Sequence, residues 1–156
     1  VSRMKILSIK YLAAMAALLV TNAIVWVSSY NFVYAFSNGR EVDQQALLLM
    51  LGSTFIFQLV FLALGTAISL LMRRVRSVTP LAMGLGFGMY VFSVFGDMLG
   101  DNTLETLTPF SHFDPNYIIN NGSYNFPLVW LSVAFIVASV ALSYLLYRRR
   151  NIHSVT

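Results

Sequence analysis

The chain has 156 residues, 58% of them hydrophobic and only 10% charged, against about 25% charged in a soluble domain, so a water-soluble monomer is excluded. The net charge of +4 does not mark a nucleic-acid binder, because the basic residues sit in short clusters beside apolar stretches and form no phosphate-binding face. Cysteine is absent, which removes disulfides, thiolate metal ligands and cysteine nucleophiles.

The sequence predicts an all-α membrane protein, a single transmembrane domain over 1–156 with four spans. The first, Tyr11 to Phe36, has no charged side chain and exceeds the length needed to cross about 30 Å of hydrocarbon. It is also longer than the apolar core of a cleavable signal, so it is expected to be retained. Residues 37–45 form a short loop with Asn38-Gly39 as its turn signal. The second span, Ala46 to Met72, is stopped by Arg73-Arg74-Val75-Arg76. Thr79 then reads as an N-cap and Pro80 as the first helical residue of the third span, Leu81 to Leu99.

Between the third and fourth spans, residues 100–125 mix acidic side chains with Leu107, Phe110, Phe113, Tyr117 and Ile118, too apolar a set for a free loop. Thr108-Pro109 and Asp114-Pro115 each carry a cap-then-proline signature, and Gly122 follows as a terminator. Two short interfacial helices are expected, lying against the outer leaflet or the span ends. The fourth span, Phe126 to Tyr147, ends in Arg148-Arg149-Arg150. Nine basic residues on one side against Arg40 on the other put both termini in the cytoplasm, with a bacterial cell membrane the expected location.

Catalytic patterns are missing. An intramembrane aspartyl protease needs opposed carboxylates, one in Gly-x-Gly-Asp, but Val94 stands at the first glycine and Asp97 and Asp101 flank one helix end. His112 reads as part of an interfacial aromatic belt and His153 as tail, so neither is expected to serve an intramembrane serine or to hold zinc or haem. No phosphate loop occurs. No catalytic, cofactor or metal residue is therefore expected. The spans do carry small and uncharged polar residues. Gly84 and Gly88 form a G-x-x-x-G with Ala82 and Gly86 offset, and Ala134, Ala138 and Ala141 align on the fourth span. Such stripes allow close helix approach, within the chain first and at a subunit interface second. Asn22, Trp26 and Ser29 share a stripe of the first span and Gln58 lies mid-way along the second, as polar contacts between helices or along a translocation path.

Two stretches carry a family likeness. Ser2-Arg3-Met4-Lys5-Ile6-Leu7-Ser8-Ile9-Lys10-Tyr11-Leu12 is similar to an S-R-x-K-I-L-x-x-K-x-L stretch, and Leu107-Thr108-Pro109-Phe110-Ser111-His112-Phe113-Asp114-Pro115, with Tyr147-Arg148-Arg149-Arg150-Asn151-Ile152, resembles L-S-P-F-x-Y-F-D-P … Y-x-R-R-D-I. Both occur in the permease subunits of ABC exporters, in the class that includes antibiotic-resistance and sodium-export permeases. His112 replaces the usual aromatic and Asn151 the usual acid. Members commonly have six spans, so a C-terminal fragment carrying spans three to six is expected. The resemblance implies a permease that pairs with a second permease and with separate ATP-binding subunits, and is not itself an enzyme. Ser2, Arg3 and Lys5 then belong to the ATPase-coupling surface, and Phe110, Phe113, Asp114, Pro115 and Tyr117 to an outer lid. The scarcity of buried charge suits amphipathic or lipid-like cargo better than an ion. The rival expectation is a self-contained four-helix scaffold or sensor.

Overall fold

A computed structural model of the chain describes residues 3–72, 77–100 and 106–149. These residues form helices and no strand. Four of the helices are long and apolar enough to cross a membrane: α1 (Arg3–Phe36), α2 (Gln44–Leu71), α3 (Val78–Leu99) and α5 (Phe126–Arg149). A 3₁₀ turn (Ser111–Phe113) and the short helix α4 (Pro115–Asn121) lie between α3 and α5. The protein is thus a multi-pass helical membrane protein.

α1 starts well before Tyr11, because the straight-chain residues Met4, Lys5, Leu7 and Lys10 are good helix formers and nothing interrupts them. Its 34 residues extend about 51 Å at 1.5 Å per residue, so its basic first turns run past an apolar layer about 30 Å thick. The expected turn at Asn38-Gly39 is present: Arg40 N donates to Ser37 O at 2.9 Å, and both central residues have positive φ. Asp43 caps α2 by accepting from Ala46 N at 3.0 Å. α3 departs from expectation. Its N-cap is Ser77 rather than Thr79, and Pro80 is the third helical residue. Proline is harmless there because first-turn N–H groups have no intrahelical partner.

The main packing is between α2 and α5, with α1 laid against both. Along α2 the buried residues Ala46, Ser53, Val60 and Ala67 recur every seven positions, with Ala63 beside them. α5 buries Ser132, Ser139 and Ser143, and leaves Ala134, Ala138 and Ala141 exposed. The alanine stripe expected to pack therefore faces outward, and serines take its place. A seven-residue repeat of small side chains lets two helix axes approach closely along one seam. Serine also fits because its hydroxyl can return to its own helix, as Ser143 Oγ does to Ser139 O at 2.8 Å.

α3 stands apart, burying only Ser93 and Gly96 among its residues. A Cβ placed on Gly84, Gly86 or Gly88 meets nothing within 4 Å. The G-x-x-x-G therefore makes no close approach to another described helix of this chain, contrary to the first of the two expectations for it.

The packing generates a paired prediction. Ser139→Leu inserts bulk into the α2–α5 seam and is expected to lower stability by about 1–3 kcal/mol. Ala138→Leu, one residue away on the exposed face, is expected to change it by no more than about 0.5 kcal/mol. Denaturant titration of the detergent-solubilised protein measures both.

Candidate functional site

The most elaborate arrangement is the segment 106–125, at the end of the bundle that also carries the α1–α2 loop. We refer to this as the loop end, and to the end with Lys5, Lys10 and Arg148 as the basic end. The segment does not stay at the surface. Phe110 packs edge-on against Phe57, Phe61 and Tyr90, with ring centroids 4.7, 6.0 and 5.8 Å away. Phe57 is at the middle of α2, so the tip of the segment reaches half-way along that helix. Thr108-Pro109 starts no helix of its own. It makes a buried turn in which Ser111 N donates to Thr108 O at 3.3 Å, followed by the 3₁₀ turn.

A descending chain must satisfy its polar groups from within the protein, and hydroxyls here do so. Ser111 Oγ lies 3.1 Å from Thr108 Oγ1 and 3.0 Å from Ser93 Oγ on α3. His112 is 1% exposed. Its Nε2 is 3.1 Å from the Thr106 carbonyl. A carbonyl only accepts, so Nε2 carries the proton and Nδ1 accepts from Ser132 Oγ of α5 at 2.6 Å. Burial holds the imidazole below its ordinary pKa, which keeps it neutral at physiological pH. His112 is thus a buried strut between the segment and α5, not part of a surface belt. It also meets a serine on a span, contrary to expectation. Ser132 is 0% exposed, so this pair offers no nucleophile to a substrate.

Beyond the tip the segment climbs back. Phe113 is buried edge-on against Tyr124 at 5.9 Å. Asp114 Oδ1 accepts from Asn116 N at 2.9 Å and caps α4, which Gly122 ends in the left-handed region at φ 59°, as the sequence predicts. Two bonds then fix the segment to the start of α2: Gln45 Nε2 donates to Gly122 O at 2.7 Å, and Tyr124 Oη to Leu49 O at 2.6 Å. Gly52 makes the second bond possible, since a Cβ there would lie 2.8 Å from Tyr124 Oη. Of the residues expected to form an outer lid, Phe110 and Phe113 are anchored inside, Asp114 holds the turn, and Pro115 and Tyr117 are exposed. Between this segment and α3 is an open cavity of about 540 Å³ whose lining includes Tyr90, Ser93, Asp97 and Asn116.

A second polar cluster joins α1 to α2. Asn22, 5% exposed, donates through Nδ2 to Gln58 Oε1 at 2.6 Å and to Leu18 O at 2.8 Å. The structure thus brings Asn22 and Gln58 together as a helix–helix contact. Trp26 and Ser29 lie further along α1 toward the loop end and are half-buried, and the Trp26 indole N–H has no partner among the described residues. At the basic end, Ser8 Oγ is 2.7 Å from Tyr144 Oη, and Tyr11 Oη donates to Ser143 Oγ at 3.1 Å, so α1 is tied to α5 just beyond Lys5. Arg3 opens α1, while Ser2, Asp101 and the Arg73–Arg76 cluster lie outside the described residues. Among the described residues no three His, Asp or Glu side chains converge as metal ligands.

The sequence reading missed the His112–Ser132 bond. A signal for its α5 half existed: Ser132, Ser139 and Ser143 at spacings of seven and four mark a polar face on an apolar span. No protein-family model matches the chain, and no similar curated protein or solved structure is found.

Two outcomes are expected. Because the folded-state pKa of His112 is depressed, its contribution is complete above about pH 6.5, the ordinary histidine value, and is lost as pH falls through the lower folded value. Protonation makes Nδ1 a donor, so the Ser132 hydroxyl must turn to accept, and it places a charge in a buried site. After correction for intrinsic exchange, protection of the amides over 106–118 is therefore expected to fall from pH 7.5 to pH 5 in the native chain and to be pH-independent in His112→Gln. Separately, Tyr124→Phe is expected to lower stability by about 0.5–1.5 kcal/mol, the worth of one hydrogen bond, and Gly52→Ala to lose the same bond against about 0.5–1 kcal/mol of helix propensity regained. Because both remove the same bond, the double variant is expected to lose no more than the larger single loss.

Proposed function

We propose that this chain is a permease subunit of an ATP-driven ABC exporter, contributing translocation path and coupling while a separate chain hydrolyses ATP. The observation that carries the reading is a coincidence of position. The stretch with the most specific family likeness, Leu107 to Pro115, is also the stretch that leaves the loop end, descends between α2, α3 and α5 to Phe57, and returns. A buried plug held by a few hydroxyl contacts, beside an open cavity, is the arrangement expected of a gate.

The remaining parts fit that reading. In this reading the basic end, with both termini, lies in the cytoplasm of a cell membrane and the loop end outside, as the excess of Lys and Arg at the basic end supports. Uninterrupted α1 runs from Arg3 to Phe36 and is bonded to α5 near its start and to α2 at Asn22. Movement imposed by an ATP-binding subunit at Ser2, Arg3 and Lys5 can thus travel along one rigid element to the spans that hold the plug. The open glycine face of α3, flanked by an apolar groove that includes Met89, Phe92 and Leu107, suits a second permease subunit. In this account Phe110, Phe113, Asp114, Pro115 and Tyr117 form the outer lid, and Asn22–Gln58 is a structural tie beside the path. The scaffold or sensor alternative uses the same outer segment but needs no ATPase.

Co-purification separates the two. The permease is expected to bring down an ATP-binding subunit from its native membrane, and a scaffold is not. Within the complex, Asp114→Ala removes the α4 cap at about 0.5–2 kcal/mol, and is expected to reduce export while leaving the ATP-binding subunit attached. Normal export in this variant would leave the segment as a passive connector.

A further inference from the structure

We infer that the loop-end cavity is a binding site for a hydrophobic organic cation, an ammonium or phosphonium group carried on an aromatic or alkyl body. In naming a cargo class this rests on the permease reading, but the binding itself does not. The volume, about 540 Å³, lies within the range of small-molecule sites. Tyr90, Phe110 and Tyr117 line it together with Asp97 and Asp114. Aromatic faces attract a cation and also cover its apolar body, which is how quaternary ammonium groups are held.

The charge of the lining has one sign. Among the described residues no Lys or Arg lines it, and His112 has both nitrogens engaged and is neutral. Asp97 is the principal counter-charge. It is exposed, makes no ion pair or hydrogen bond among the described residues, and sits in the last turn of α3. A carboxylate at a helix C-terminus adds to the negative end of the helix dipole, which disfavours it unless a cation comes there. Asp114 has given one oxygen to the Asn116 N–H and keeps the other. An anion is repelled by this lining. A bare divalent ion needs six or more oxygens close together, and among the described residues no three His, Asp or Glu side chains gather to hold one. A bulky organic cation matches both the walls and the charge.

The test uses the full chain in nanodiscs of zwitterionic lipid, with empty nanodiscs as the partition control. Radiolabelled tetraphenylphosphonium is the probe and neutral triphenylphosphine oxide its uncharged counterpart. Saturable tetraphenylphosphonium binding above the control is expected, weakened by added salt, while the neutral probe shows none. Asp97→Asn, which alters an exposed side chain, is expected to weaken binding about tenfold or more, equivalent to about 1.4 kcal/mol. Asp114→Asn, which retains a capping side chain, is expected to weaken it less. Absence of saturable binding, equal binding of the neutral probe, or unchanged affinity in Asp97→Asn would each overturn the site. Intact cation binding without a co-purifying ATP-binding subunit would instead sink the permease reading and leave the site standing.

Discussion

A chain that leaves helical geometry among apolar spans must find partners for the polar groups it brings with it, because no solvent is there to supply them. The stretch from Thr106 to Asp114 meets that demand at half the depth of α2, and His112 is its centre. The imidazole gives its one proton to the Thr106 carbonyl and takes the Ser132 hydroxyl on its other nitrogen. A phenylalanine here would make neither bond and would leave Ser132 to its own helix backbone. The bond also decides where α5 must face, since Ser132 has to point at the segment rather than at lipid. The position of the plug and the register of the last span are therefore one problem with one solution.

The α2–α5 seam follows from the same demand. Ser132, Ser139 and Ser143 lie on one face of α5, and that face meets the small-residue repeat of α2. Tyrosine hydroxyls tie α5 to α2 near the loop end and to α1 near the basic end. Tyr124 reaches over Gly52 to Leu49 O at the loop end, and Tyr11 bonds Ser143 at the basic end. α3 has no comparable seam. It is joined to the rest through Ser93 and Tyr90, both of which touch the plug.

Much of this was legible in the sequence. Span number, the Asn38-Gly39 turn, the Asp114 cap and the Gly122 terminator each rest on a local rule, in which length, a side-chain oxygen or a missing Cβ acts within a few residues. What was not legible depends on contacts between distant residues. Thr108-Pro109 carries the same local signature as Asp114-Pro115, yet it becomes a turn because the Thr108 hydroxyl and Phe110 are drawn inward by Ser111 and by the rings of α2 and α3. The alanines of α5 look like a packing stripe by spacing alone, but the serines one face away hold the contacts, since buried hydroxyls need partners and methyl groups do not. His112 looked superficial because aromatic neighbours also occur at membrane interfaces, and only its two hydrogen bonds place it inside.

The account stands or falls on the depth of the segment, and the absence of native cysteine allows that depth to be read without background. In the double variant Phe57→Cys and Phe110→Cys, the two positions whose rings lie 4.7 Å apart, a short bifunctional thiol reagent applied to native membranes is predicted to cross-link them rapidly. Pairing Phe110→Cys with Phe36→Cys, at the loop end of α1, is predicted to give no product. Cross-linking absent from the first pair, with both thiols shown to be reactive, would place the segment at the surface and contradict the account.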